Sequence, residues 1–385
     1  MIKNFSAITA SSYLSMLFMG VAGTLIGAAS RNIGLSPFEI GLMITVQNLG
    51  FMLSVMVSGA MADTVEKPKI LFLGSLILSA GFLTFYLTNL FNINLLIMFT
   101  IGVGIGTYEG VTDALLIDIH PQKESLHINI NHFFVTFGSI LITVYLIFLQ
   151  MDWRNAIIQS GVLVLILALA FGLTKLPVNR TPSEPYQERM RILTRDKVVI
   201  VFFICTALVV GVELGSIGIL TTYLMEMRDF TQITSKFGLV VFLVGMALGR
   251  ILVGYFSPQD KINRVLLSLL GCSVIVFSGL YFIDLRLFSY GAIFLAGLSL
   301  SAVLPLILTQ AGLLYKEMAG TVLGSIKVAI PIGGILVPFL MSTLIRFSSF
   351  EVSLILFPLS VLLAFLLIYF VSPGRSKVRQ PSSLD

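Results

Sequence analysis

The chain has 385 residues, of which 57% are hydrophobic and 11% charged, with a net charge of +5. A water-soluble domain carries about 25% charged residues, and no soluble core of this length could hide so much apolar surface. The mean hydropathy of +1.00 agrees: the chain is read as an integral membrane protein, and a set of soluble domains is excluded.

The apolar residues come in long unbroken runs, such as Ala7–Ser30, Ile40–Ala62 and Ile70–Tyr108, none of which holds a charged residue. Crossing a bilayer takes about 20 apolar residues as a helix, or about 10 alternating residues as a barrel strand. Period-2 alternation is absent, so the spans are helices, whose backbone groups are satisfied internally. In chain order they are predicted at 7–29, 37–62, 69–89, 94–118, 128–150, 154–175, 198–225, 236–257, 263–283, 287–314, 318–345 and 351–372. The first run lacks a small-residue cleavage site and is read as a span, not a cleaved signal. The polar stretch Pro177–Asp196, with Pro177, Pro182, Pro185 and four arginines, divides the twelve six and six. The expected domains are a bundle over 1–175, a cytoplasmic linker over 176–197 carrying a short surface helix, and a second bundle over 198–385.

Basic residues set the orientation. With the N-terminus inside, Arg31, Arg154, Arg228, Lys236, Arg286 and Arg346 face outward and Lys327 lies within a span, leaving 17 of the 24 Lys and Arg on the inner side. Both termini are therefore expected in the cytoplasm of a cell-membrane protein. The net charge comes from this bias and implies no nucleic-acid partner.

The halves repeat at an offset of 195 residues: Gly20, Gly23, Gly50, Gly59, Gly102 and Gly138 meet Gly215, Gly218, Gly245, Gly254, Gly297 and Gly333. Glycine lets membrane helices approach closely. A parallel repeat of six helices is the architecture of a carrier whose halves flank a central cavity. At the same offset His132 falls opposite Lys327, which suggests equivalent places in the two halves.

Ionisable groups within spans cost at least about 2.5–3.5 kcal/mol each on insertion scales and mark function. Glu109, Asp113, Glu213 and Lys327 are such groups. Glu109 lies nine residues before Asp118 at the inner end of its helix, about 14 Å deep at about 1.5 Å per residue; Asp113 lies nearer the inner surface. Glu109 and Asp113 are four apart and share a helix face. Two acids in a low dielectric compete for ionisation, so Glu109, Asp113 and Glu213 are the candidate proton-coupling groups. An ion-pair network of Glu109, Glu213 and Lys327 is the structural alternative. Gln47, Asn48, Asn131, His132, Gln310 and Lys327 are candidate solute contacts, with bridging between helices as the alternative for each polar group. Cys205 and Cys272 read as small buried hydrophobes. Trp153 sits at an outer helix end, where belt tryptophans belong. Pro305, Pro331 and Pro338 are expected to kink spans 10 and 11. No metal site, cofactor motif or nucleophile–base pair appears, so an enzyme is not expected.

Specific stretches carry a resemblance. The loop after span 2 reads Gly59-Ala-Met-Ala-Asp63-Thr64-Val65-Glu66-Lys67-Pro68-Lys69. It resembles the G-x-x-x-D-R-x-G-R-[KR] loop of major facilitator superfamily transporters, with Thr64 and Glu66 replacing an Arg and a Gly. The resemblance covers nearly the full chain and implies an all-α membrane protein, with twelve transmembrane helices in two pseudo-symmetric six-helix bundles. Within the superfamily the chain is most similar to the fucose and glucose permease branch. The resemblance lies in Gly104–Asp113, in Gly211-Val-Glu213-Leu-Gly215 without the branch's preceding Tyr, in Gly245–Gly254 around Arg250, in Asn131-His132-Phe133-Phe134 with Phe137-Gly138, and in Gly333-Gly334. Span 1 lacks the acid of some fucose-type proton symporters, and span 5 lacks the Gly-Pro motif of drug antiporters. The resemblance implies a monomeric secondary transporter of a small polar solute, a sugar, coupled to protons, with gating roles for Asp63, Lys67 and Arg250. The alternative is a carrier or exporter of an organic anion or amphipathic compound, with Lys327 as counter-charge. A non-transporting receptor on the same fold is a remote third.

Overall fold

A computed structural model describes residues 5–148, 152–176, 184–285 and 288–371. Pro177, Arg180, Pro182, Arg286 and the tail Ser372–Asp385 lie outside the described residues, as does the side chain of Arg31. The helices are α1 (Phe5–Ile33), α2 (Pro37–Met61), α3 (Lys67–Thr84), α4 (Phe91–Ile119), α5 (Glu124–Phe148), α6 (Trp153–Gly172), α7 (Tyr186–Arg195) and α8 (Lys197–Met227). They continue as α9 (Gln232–Phe256), α10 (Ile262–Phe282), α11 (Ser289–Ser301), α12 (Val303–Leu314), α13 (Ala319–Lys327), α14 (Ala329–Phe347), α15 (Phe350–Ser353) and α16 (Leu356–Val371). Among the described residues they make up 12 segments long and apolar enough to cross a membrane. The all-α, twelve-span architecture expected from the sequence is therefore present, and the linker holds the short helix α7.

The spans show large apolar side chains to the outside, including Phe38, Ile233, Ile275, Phe339 and Phe370. In water this pattern would aggregate; against lipid it is the required surface. Cys205 is buried, but Cys272 is exposed on α10, so the expectation of a packed residue fails for Cys272. A small apolar thiol on a lipid-facing helix costs nothing to expose.

The chain forms two compact units, residues 1–186 with 311–328, and residues 187–310 with 329–385. The glycine repeat has a packing counterpart in each. In the first unit a Cβ at Gly50 would strike the Phe99 carbonyl, and one at Gly102 the Gln47 carbonyl. In the second, Gly245 meets the Phe294 carbonyl and Gly297 the Phe242 carbonyl, each contact shifted by the same 195 residues. Thus α2 crosses α4 as α9 crosses α11, backbone against backbone. The match of the first spans does not extend as far: Gly20 abuts the Val135 carbonyl of α5, whereas Gly215 faces the Phe357 ring of α16. Gly23 and Gly218 meet nothing.

Two of the three prolines break their spans. Pro305 cannot donate to the Ser301 carbonyl, and the helix divides at Ala302; Pro331 cannot donate to the Lys327 carbonyl, and the helix divides at Val328. Pro338 stays inside an unbroken α14.

Candidate functional site

Every charged side chain of the first-unit site is buried, and the site is built around one cation. Lys327 ends α13, where the negative end of the helix dipole favours an ammonium. Its Nζ lies 2.6 Å from Asp113 Oδ2 and 3.0 Å from Glu109 Oε1. It also donates to the Glu109 backbone carbonyl at 2.5 Å. Glu109 and Asp113 stand one turn apart on α4, as their spacing predicts. His132 of α5 places Nε2 3.0 Å from Asp113 Oδ2 and 4.0 Å from Glu109 Oε1. Asn131 donates Nδ2 to Asp113 Oδ1 at 2.8 Å and to Thr112 Oγ1 at 3.0 Å, while Ser12 Oγ of α1 donates to Asn131 Oδ1 at 3.3 Å.

Asp113 is the hub, although its position along α4 put it nearer the inner surface than Glu109. Depth along a helix does not measure burial: Asp113 is 0% and Glu109 1% exposed. Asp113 accepts from Lys327, His132 and Asn131. Glu109 Oε2 is buried without a hydrogen-bond partner. His132 and Lys327 converge on the same carboxylate oxygen. Glu109, Asp113 and His132 bring three metal-ligating atoms within 4.8 Å of one another, and the cation they surround is the Lys327 ammonium.

Two carboxylates face one ammonium in a low dielectric. With His132 neutral the cluster carries one excess negative charge, and an uncompensated buried charge costs several kcal/mol. One proton, on Glu109 or on His132, cancels it.

Glu213 belongs elsewhere. In the second unit its Oε1 accepts from Arg250 at 3.0 Å, and Arg250 Nε donates to the Ser301 carbonyl at 3.2 Å, the carbonyl left free by Pro305. The possible network of Glu109, Glu213 and Lys327 is thus two clusters, one in each unit.

The remaining candidates separate by partner. Gln47 is buried and donates to the Ala22 carbonyl, joining α2 to α1. Asn48 is half-buried, and Gln310 Oε1 is buried without a hydrogen-bond partner. Lys67 pairs with Asp118 at 2.6 Å. Asp63 caps α13: its oxygens accept from Gly320 N at 2.7 Å, Thr321 N at 2.9 Å and Thr321 Oγ1 at 2.5 Å. A carboxylate on the orphan N–H groups of a helix start is favourable. The nine-residue α13 thus has an acid bound at its start and the site's ammonium at its end. Asp63→Ala is expected to cost about 0.5–2 kcal/mol, read as a lower unfolding temperature of the purified protein, with Asp63→Asn intermediate because its amide keeps only one of the two acceptor oxygens. Equal unfolding of the Ala variant and wild type would remove the cap from the account.

Ser12, Thr112 and Asp118 escaped the sequence reading. Thr112 beside Asp113 and Ser12 in an apolar run were visible, but single hydroxyls in spans usually bond their own helix, as Ser75 does to Leu71. A pair of stacked imidazoles, His120 and His127, with centroids 3.5 Å apart, also went unnoticed. Burial and the neighbouring Lys123 hold His120 below the usual histidine range.

Residues 8–336 match the Major Facilitator Superfamily. The glucose/mannose transporter GlcP of Bacillus subtilis (strain 168) is 22% identical over 374 residues, 90% of this chain and 88% of that protein. A crystal structure of the E. coli fucose:proton symporter FucP overlays with a TM-score of 0.79 at 16% identity, covering 94% of this chain and 98% of that one. The human organic anion transporter MFSD10 overlays at 0.77 with 14% identity, covering 94% and 99%. The structural likenesses establish the fold, and the match over most of the length establishes the family: this chain belongs to the major facilitator superfamily and is a multi-pass membrane transporter, not an enzyme.

Proposed function

We propose that the protein is a proton-coupled symporter of a neutral sugar, working by alternating access in the cell membrane with both termini cytoplasmic. The observation that carries this reading is the cluster of Glu109, Asp113, His132 and Lys327, which is one proton short of neutrality. In this reading Glu109 takes and releases the proton, Asp113 and Lys327 hold it in place, and Asn131 and His132 orient Asp113. Gln47 and Asn48 in the first unit, and Gln310 in the second, whose Oε1 has no hydrogen-bond partner, are each able to hydrogen-bond solute hydroxyls. Asp63, Lys67 and the Glu213–Arg250 pair serve gating. The chain acts as a monomer with solute, protons and the lipid bilayer as its partners.

The similarity to a glucose/mannose transporter over nearly the whole chain supports a sugar. The organic-anion reading draws support from the overlay with MFSD10 but loses its counter-charge. Lys327 already faces two carboxylates and Arg250 one. The deciding experiment is uptake of radiolabelled glucose, mannose and a weak organic acid into proteoliposomes under an imposed pH gradient. Uphill sugar uptake with an acid exterior is expected; uptake of the acid alone would reverse the assignment.

Orientation has its own test. Cysteines at Pro185 and Asn92 in a cysteine-free background should react with impermeant reagents from opposite faces of the membrane. Labelling from the same face would contradict the twelve-span threading.

A further inference from the structure

At the end of the first unit away from the N-terminus, the α1–α2 and α3–α4 turns and the first residues of α6 line an open cavity of about 390 Å³. It is separate from the buried charge cluster and lies within the size range of small-molecule sites, about 300–1,000 Å³. Its walls combine aromatic and polar groups: Tyr86, Asn89, Phe91, Trp153, Glu39 and Arg154. The Trp153 and Tyr86 rings meet edge to face, with centroids 5.7 Å apart and planes at 86°, and form an apolar corner. The Arg154 guanidinium lies 5.9 Å from the indole centroid.

Two features show that this corner is held in place. Tyr86 has φ +54°, a left-handed conformation unfavourable for a bulky side chain. Such strain persists only where the surroundings enforce it, and it concentrates at ligand sites. Here the buried Asn94 enforces it, accepting from Tyr86 N at 2.8 Å and donating to the Thr88 and Leu90 carbonyls at 2.9 and 3.0 Å. Glu39 is fixed as well: its Oε2 accepts from Ser36 N at 2.8 Å and Ser36 Oγ at 2.7 Å in a capping box, which leaves Oε1 for a ligand. Burial and the nearby Glu39 push the Tyr86 phenol above its ordinary range.

The chemistry of the lining selects the ligand. Glu39 and Arg154 balance in charge, so an organic anion or cation would leave one of them uncompensated. A pyranose has apolar C–H faces for the aromatic corner and a rim of hydroxyls for a carboxylate oxygen, an amide and a guanidinium. We infer that this cavity is a second binding site, at the outer ends of the helices, for a neutral monosaccharide of the transported class. The inference rests on the sugar reading above for the identity of the ligand, not for the existence of the site.

Trp153 is the only tryptophan in the chain, so tryptophan emission arises from the wall of this cavity. D-glucose and D-mannose titrated into the purified protein should change the emission saturably, and lactate and glycine betaine should not. Glu39→Gln, which preserves the capping box, and Asn89→Ala should each weaken the apparent affinity at least about fivefold. A flat response to both sugars, in protein that still takes up sugar in proteoliposomes, overturns the site and leaves the transport reading intact. A response unaltered in both Glu39→Gln and Asn89→Ala also overturns it, since the indole would then be sensing a distant event. A saturable, Glu39-dependent sugar response in protein that transports no sugar upholds the site and removes the sugar-transport reading.

Discussion

Glu109→Gln is expected to abolish uphill solute accumulation while leaving solute exchange intact. The amide mimics the protonated carboxyl in shape and neutrality, so the cluster is left with Asp113 against Lys327 and no need of a further proton. With one proton per solute, a gradient of one pH unit is worth about 1.4 kcal/mol, or roughly tenfold accumulation. In the variant the ratio of inside to outside solute should fall to about one. Counterflow, in which preloaded unlabelled solute draws in label, should persist within a few-fold of wild type. Counterflow is the necessary control, because it distinguishes an uncoupled carrier from a misfolded one. A variant that still accumulates solute uphill would remove Glu109 from the coupling mechanism.

Lys327→Ala should have the larger effect on the protein itself. It leaves two buried carboxylates one turn apart with no ammonium between them, and breaking a buried pair costs about 3–5 kcal/mol. The variant should unfold at a clearly lower temperature. At least one of the acids then retains a proton that it no longer releases, so pH-driven uptake should fail. Solute affinity measured under acidic conditions should remain within a few-fold of wild type, because the lysine is engaged with protein and not with solute. The double variant Lys327→Ala/Glu109→Gln removes one of the stranded charges and should recover part of the lost stability, a coupling that two independent sites would not show. If affinity instead collapses at every pH, by the roughly 30-fold or more expected when one member of a buried charge pair is lost, then Lys327 meets a negative charge on the solute and the organic-anion reading replaces the sugar reading.

The parts of this structure legible in the sequence are those set by one-dimensional rules. Span lengths follow from hydrocarbon thickness, and the facing of Glu109 and Asp113 follows from helical period. The backbone crossings at Gly50, Gly102, Gly245 and Gly297 follow from the absence of a side chain. What the sequence left open depends on which helices meet. Lys327 joining Asp113, and Glu213 joining Arg250, are contacts across 214 and 37 residues, and no local spacing encodes them. In sequence Asp63 is a loop residue of the gating motif, and its service as the cap of α13, 257 residues on, is likewise a tertiary fact. Pro305, Pro331 and Pro338 looked alike in sequence. Pro305 and Pro331 divide their helices and Pro338 does not, because a missing N–H does not by itself decide whether neighbouring turns hold a helix together.

The central claim is that one proton enters with each solute through the Glu109–Asp113–Lys327 cluster. It is tested most directly by adding sugar to lightly buffered, de-energised proteoliposomes and recording external pH. The account predicts immediate alkalinisation with wild-type protein, proportional to sugar uptake, and none with Glu109→Gln although sugar still equilibrates. Sugar uptake by the wild type with no change in external pH would contradict it.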